Sequence, residues 1–276
     1  MSPQRTTGPR GPTGPSRSRN NRPGRASPAT KPAEPRDSGP QRIAKLLARA
    51  GVASRRDIER MIAEGRIALD GNALTTPATL LTSLKGVTVD GKPVAPPAAA
   101  RLWRFHKPAG CLTAANDPKG RPTIYDRLPA GLPRVMPVGR LDFMTEGLLL
   151  LTNDGELKRQ LELPATAVVR RYRARAFGEV SQAQLEELSE GVEIEGIRYG
   201  SIDANLERRT GRNCWIELAL TEGKNREVRR VLAYLGLQVS RLIRVSYGPF
   251  TMLDLEPGAV GEVQREELFR FRQTLK

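Results

Sequence analysis

Apolar residues recur along this chain in two rhythms, one helical and one strand-like. Near the start, Ile43, Leu46, Leu47 and Ala50 fall at the i, i+3, i+4, i+7 spacing of one helix face, with Gly51 as a C-terminal stop. A second helix is predicted at once, with Ser54 as N-cap and Asp57 as its reciprocal partner. Ile58, Met61 and Ile62 form its buried face, and Gly65 ends it. Arg55, Arg56 and Arg60 lie off that face, so two short packed helices present a cluster of cations. Asp70-Gly71 and Asp90-Gly91 then mark tight turns between short strand-like pieces.

From residue 101 the rhythm changes. Strand-like pieces are predicted at 102–105, 135–138, 148–152, 170–177, 192–199, 201–206, 214–221 and 239–247, and helical patterns at 156–163, 182–189 and 225–235. Strands dominate without regular βαβ alternation, so the fold class is α+β with a mainly antiparallel sheet. The division that follows is a small domain at 41–94, a Pro/Ala-rich linker at 95–100, a larger domain at 101–256 and an extension at 257–276. Glu266, Glu267, Leu268 and Phe269 suggest one last helix in that extension.

Residues 1–40 contain nine prolines, five glycines and eight Lys or Arg against two acidic residues, without apolar periodicity. Such an arm is expected to be disordered, and it lacks the apolar core of a secretory signal. A formal net charge of +15 over 276 residues exceeds what solubility requires and points to a polyanionic partner, nucleic acid before an acidic membrane surface. No apolar run approaches the roughly 18 residues of a membrane span. Two distant cysteines, Cys111 and Cys214, and a single histidine, His106, give no metal-site or disulfide spacing. A reduced, cytoplasmic protein is expected.

The candidate chemistry sits in three stretches. Asp142 lies in a polar loop flanked by Gly139 and Gly147, just before Leu148-Leu149-Leu150-Leu151. The leucine run reads as a buried strand that would fix the loop, although on local pattern alone a turn aspartate bonded to its own backbone is the plain alternative. In 170–175, Arg171, Arg173 and Arg175 share one strand face while Tyr172 points the other way, toward the interior or a pocket. A tyrosine edged by cations suits stacking on an unpaired base. In the helix from Asn225, Val228, Val231, Leu232 and Leu235 face the core. Arg229 lies at the edge of that stripe, where a half-buried cation can meet a carboxylate, and Arg226 and Arg230 lie opposite, better placed for phosphate.

Two resemblances rest on these residues. Lys45-Leu46-Leu47-Ala48-Arg49-Ala50-Gly51-Val52-Ala53-Ser54-Arg55-Arg56, and the order of parts after it, resembles the S4-type RNA-binding domain. Gly139-Arg140-Leu141-Asp142 with Thr145 and 147–157, Tyr172 thirty residues past Asp142, and Glu222-Gly223-Lys224-Asn225-Arg226-Glu227-Val228-Arg229-Arg230 form a second set. They resemble one branch of the ribosomal RNA pseudouridine synthases, with type A for the small ribosomal subunit, and types B, E and F for the large one. The stretches 116–129 and 236–244 are most similar to type B of the large subunit. Phe143-Met144 is more apolar than that pattern leads one to expect.

The resemblance implies isomerisation of a uridine in 23S rRNA, with no cofactor and no metal. It implies that Asp142 acts at C1′, that Tyr172 stacks on the uracil, that Arg229 pairs with the aspartate and that Leu242 closes the pocket. Arg140 competes for the pairing role; it, Lys224, Arg226 and Arg230 would bind substrate, and Arg55, Arg56 and Arg60 would grip RNA. The partner is ribosomal RNA or a ribosome assembly intermediate, met by a monomer. A 16S rRNA or tRNA target is the alternative within the same chemistry. An S4-bearing assembly factor with a structural Asp142 is the alternative outside it.

Overall fold

The first module follows its pattern closely in the computed structural model, which describes residues 39–275. Strand β1 (Gln41–Arg42) leads into α1 (Ile43–Arg49) and α2 (Arg55–Ala63). Ser54 accepts the Asp57 N–H at 3.2 Å and donates its hydroxyl to the Asp57 carboxylate at 2.6 Å, so the cap is closed through the side chains. Ile43, Leu47, Ile58 and Ile62 bury against β2 (Ile67–Leu69) and β5 (Val87–Val89). Both β2 and β5 form hairpins, with β3 (Asn72–Ala73) and β6 (Lys92–Pro93), whose Asp-Gly turns have positive φ at both central residues. The remaining short strand, β4 (Leu80–Leu81), pairs with β1.

The second module is built on one mixed sheet. Its strands are β7 (Leu102–Lys107), β8 (Met136–Pro137), β9 (Thr145–Thr152), β10 (Arg170–Phe177), β13 (Ile202–Thr210), β14 (Asn213–Leu220), β15 (Gln238–Tyr247), β16 (Phe250–Thr251) and β17 (Val260–Glu262). The spatial order is β13-β14-β10-β15-β9-β7-β17, with β8 beside β9 and β16 beside β15. Every pairing is antiparallel except β9 with β15. That parallel pair places the loop before β9 and the C-terminal end of the helix before β15 at the same end of the sheet. The strands approach so closely that a Cβ on Gly147 would lie 2.3 Å from the Arg244 carbonyl oxygen.

The four leucines of β9 are all fully buried, and they alternate between two cores. Leu149 and Leu151 join Tyr172, Leu242 and the apolar faces of α4 (Gln182–Glu186) and α5 (Glu227–Tyr234). Leu148 and Leu150 pack on the other side, against α3 (Gly155–Glu162) and α6 (Arg265–Thr274). Burial of each such leucine contributes about 1.5–3 kcal/mol, so the strand is a rigid base for the loop before it. In β10 the alternation is between core and solvent: Tyr172, Ala174 and Ala176 are buried while Arg171, Arg173 and Arg175 are exposed.

Some boundaries differ from the pattern-based reading. The piece at 192–199 is a hairpin, β11 (Val192–Ile194) and β12 (Ile197–Tyr199), broken at Glu195-Gly196. Strand β13 runs on to Thr210 through a bulge near Glu207. Helix α5 begins at Glu227 rather than Asn225 because Arg226 is left-handed (φ 53°). Segment 257–276, set apart from the larger domain on sequence, supplies β17 to the sheet edge and Leu268 and Phe271 to the second core. Its periodicity is too short to show this without the sheet that receives it. The expected basic arm lies outside the described residues as far as Ser38.

The modules touch through side chains. Lys45 of α1 meets Glu156 at 2.5 Å, and Arg49 meets Asp154, the N-cap of α3, at 3.7 Å. Residues from Gly39 onward form one compact unit. No helix among the described residues is long and apolar enough to cross a membrane.

Candidate active site

Asp142 is carried by the loop between β8 and β9, and that loop is tied down along its length. Gly139 donates its N–H to Glu162 (2.6 Å), while Leu141 and Thr113 exchange hydrogen bonds at 3.2 and 2.9 Å. Beyond the aspartate, Gly110 donates to the Phe143 carbonyl at 2.8 Å. Lys107, fully buried at the end of β7, donates to the Thr145 carbonyl at 2.8 Å and lies 3.4 Å from the Phe143 carbonyl. Burial lowers the pKa of this ammonium, opposed by the nearby carboxylates of Asp142 and Glu146. The backbone carbonyl of Asp142 accepts the Thr145 N–H at 3.0 Å, which makes a turn but leaves the carboxylate outside it.

Two guanidinium groups meet that carboxylate. Arg226 Nη1 lies 3.2 Å from Asp142 Oδ2, and Arg229 Nε lies 3.8 Å from the same oxygen. The Arg229 side chain is 14% exposed and donates to the Val239 carbonyl at 3.3 Å, whereas that of Arg226 is 51% exposed. Burial lowers the Arg229 pKa, as does repulsion from Arg226, and Asp142 opposes both. A half-buried carboxylate held by two guanidinium groups can serve as nucleophile or electrostatic stabiliser.

The nearer approach of Arg226 departs from the sequence reading, which aimed it at phosphate. Helical geometry does not apply to a residue in the left-handed region just before the first turn, so its side chain leaves the predicted face. Arg140 is exposed and makes no ion pair with Asp142 among the described residues. Lys224 is engaged by Glu222 at 2.5 Å and lies over the Tyr199 ring; Arg230 is half-buried on α5. Tyr172 and Leu242 lie on neighbouring strands and are buried in one cluster with Leu141, the neighbour of Asp142. In the first module Arg55 and Arg56 are exposed on α2, and Arg60 pairs with Asp57 (2.9 Å) and Glu64 (3.8 Å).

Three further residues shape the site. Arg170, buried beside Tyr172, donates to the carbonyls of Thr221 and Glu222 (2.9 Å to the latter) and to the Tyr247 hydroxyl at 2.9 Å. The Tyr247 hydroxyl in turn donates to the Leu161 carbonyl at 2.6 Å. Glu227 accepts the Lys224 N–H at 2.8 Å, and burial raises its pKa. Thus Arg170 and Glu227 shape the 221–226 loop as Lys107 shapes that of Asp142. Parity was the available signal for Arg170, since it shares the face of Tyr172. For Lys107 it was parity again, since it shares the strand face of Trp103 and Phe105.

No group of three His, Cys, Asp or Glu among the described residues is placed to hold a metal. His106 meets the Leu255 carbonyl at 2.7 Å, and both cysteines are buried free thiols.

The sequence model of the RNA pseudouridylate synthase family matches residues 101–234, and that of the S4 domain matches residues 41–83. An RNA pseudouridine synthase of Rickettsia felis is 43% identical over 228 residues, covering 83% of this chain and 99% of that protein. The chain belongs to the RNA pseudouridine synthases. The ribosomal large subunit pseudouridine synthase B of Salmonella typhimurium is 43% identical to this synthase over 215 residues, covering 75% of this chain and 74% of its own. That of Pasteurella multocida is 41% identical over 223 residues, covering 79% and 65%. A crystal structure of a pseudouridylate synthase has the same fold, with a TM-score of 0.58 at 24% identity over 83% of this chain and 98% of its own. The synthase therefore joins an S4 domain to an α+β catalytic domain with a mainly antiparallel sheet, and its substrate is RNA.

Proposed function

We propose that this synthase converts one uridine of 23S rRNA to pseudouridine, with Asp142 acting at C1′ of the flipped nucleotide. The observation that carries the assignment of Asp142 is its position between Arg226 and Arg229 on a loop fixed from beneath by Lys107. The type B relatives, named for the ribosomal large subunit, support the choice of 23S rRNA.

In the reaction the C1′–N1 bond breaks with Asp142 stabilising or attacking C1′. The uracil turns, C5 bonds to C1′, and the C5 proton leaves while N1 ends protonated, so atoms and electrons balance. Tyr172 stacks on the base and Leu242 closes the pocket beside it. Arg229 and Arg226 pair with the carboxylate, and Arg140, Lys224 and Arg230 with Arg55, Arg56 and Arg60 hold the phosphate backbone. Extracting the base costs a few kcal/mol, offset by stacking and phosphate contacts. Cytoplasmic rRNA or an assembly intermediate is the substrate, met by a single copy of the chain.

The test is tritium release from rRNA labelled at uracil C5. Asp142→Asn is expected to cut release at least about 10³-fold with RNA affinity within about threefold of wild type. Release by this variant at the wild-type rate sinks the assignment of Asp142. Release from 16S rRNA or tRNA but not 23S rRNA replaces the substrate.

A further inference from the structure

The sheet has a second face that the chemistry above does not use. On the side opposite Tyr172, strands β15, β10, β14 and β13 carry Arg241, Arg175, Trp215 and Arg208 in one cross-strand row. Next to that row the Arg173 guanidinium lies 5.0 Å from the Trp215 ring centroid. Arg212, in the β13–β14 turn, lies 4.6 Å from the ring of Phe177, which is 41% exposed. α3 and α6 cover this side only where it is apolar, over Leu148 and Leu150.

The arrangement of charge calls for a ligand. Like charges directly opposite on neighbouring strands destabilise a sheet, yet Arg175 and Arg241 face each other. Carboxylates serve part of the set: Glu207 pairs with Arg173 at 2.7 Å, Glu217 with Arg171 at 3.6 Å and Glu146 with Arg241 at 2.7 Å. Arg175, Arg208 and Arg212 have no ion pair among the described residues. An exposed four-stranded face with cations set around aromatic rings has the features that bind RNA by stacking and phosphate contact.

We propose that this outer face is a second RNA-binding surface, which holds a part of the substrate RNA away from the target nucleotide. Its contacts are to phosphate and to unpaired bases stacked on the Arg173–Trp215 and Arg212–Phe177 pairs, so it adds affinity without reading sequence. Because it lies across the sheet from Tyr172, a short stem-loop in the cleft does not reach it, and a long transcript does.

The test uses the full chain with Arg175→Glu and Arg208→Glu combined. Reversing Arg175 places a carboxylate opposite Arg241, so the sheet is expected to keep its melting temperature. Two probes are compared, a long rRNA transcript and a short stem-loop transcript containing the same modified uridine. For the long transcript, affinity is expected to fall at least about tenfold, and the slope of log K against log salt to shrink by about two. Affinity and tritium release on the short transcript are expected to stay within about twofold. In addition, Trp215 emission, separated from that of buried Trp103 by Trp215→Phe, should change on addition of the long transcript. Unchanged affinity and slope on the long transcript overturn the proposal, as does an equal loss on both transcripts. Failure of the Asp142 assignment appears separately, as tritium release by Asp142→Asn on the short transcript.

Discussion

The loop at 138–145, which carries Asp142, and the loop at 221–226, which carries Arg226, meet at the Asp142 carboxylate but are anchored differently. The first is bonded at Gly139, Leu141, Phe143 and Thr145, and its cation, Lys107, is fully buried. The second is held at its start by Arg170 and across its turn by Glu227, and Arg226 extends from it half exposed in a left-handed conformation. The acid is therefore a fixed point. Of its two cations, Arg229 is held on α5 and mostly buried, whereas Arg226 stands half exposed. Under the proposed function, the buried pair supplies preorganised charge and the exposed cation is open to the RNA backbone.

The largest effect on stability is expected at Lys107. Lys107→Met removes the donor to the Thr145 carbonyl and is expected to cost about 1.5–3 kcal/mol in denaturant unfolding, the range for a hydrogen bond to a charged group. Turnover should fall as well, by about tenfold or more. Full turnover in a destabilised variant would show that the clamp holds the fold and not the aspartate.

Next come the two arginines. Arg229→Ala is expected to lower kcat by about 100-fold, since a charge pair shielded from water acts more strongly than an exposed one. Arg226→Ala is expected to lower it about tenfold, mainly through KM for RNA and with a reduced salt dependence. Equal effects on kcat would mean that both cations belong to the preorganised pair, and steady-state kinetics at two salt concentrations decide the point.

The smallest effect concerns Glu227. Burial holds its carboxyl above the ordinary glutamate value, so the folded state favours the protonated form. Its contribution to stability is then full below the unfolded value of 4.5 and is lost as pH rises through the raised native value. Glu227→Gln escapes that loss. The variant should gain on wild type by about 1 kcal/mol, roughly 2–4 °C in melting temperature, as pH goes from below 4.5 to neutrality. A constant difference across that range would remove the titration of Glu227 from the account.

Much of the molecule was legible in the sequence. The Ser54 cap, the two Asp-Gly turns, the leucine strand and the alternation in β10 are local patterns, and local patterns follow from steric and hydrogen-bonding rules that act within a few residues. The S4 and synthase motifs were legible for the same reason, as contiguous runs. The approach of Arg226 to Asp142 was not, because one left-handed residue redirects the chain and nothing in its neighbours requires that conformation. Nor was the place of 257–276, whose strand and helix acquire meaning only from the edge of β7 and the second core.

The sequence by itself determined which residues are apolar, which are charged and which side of each strand or helix they occupy. Tertiary structure alone decided that β9 and β15 run parallel, and with that which loops converge on Asp142. It also decided that β9 is covered on both faces and β10 on one, which leaves a row of arginines in solvent. Periodicity depends on neighbours a few residues away, whereas the order and direction of strands depend on pairings as distant as Trp103 with Glu262, which no local pattern encodes.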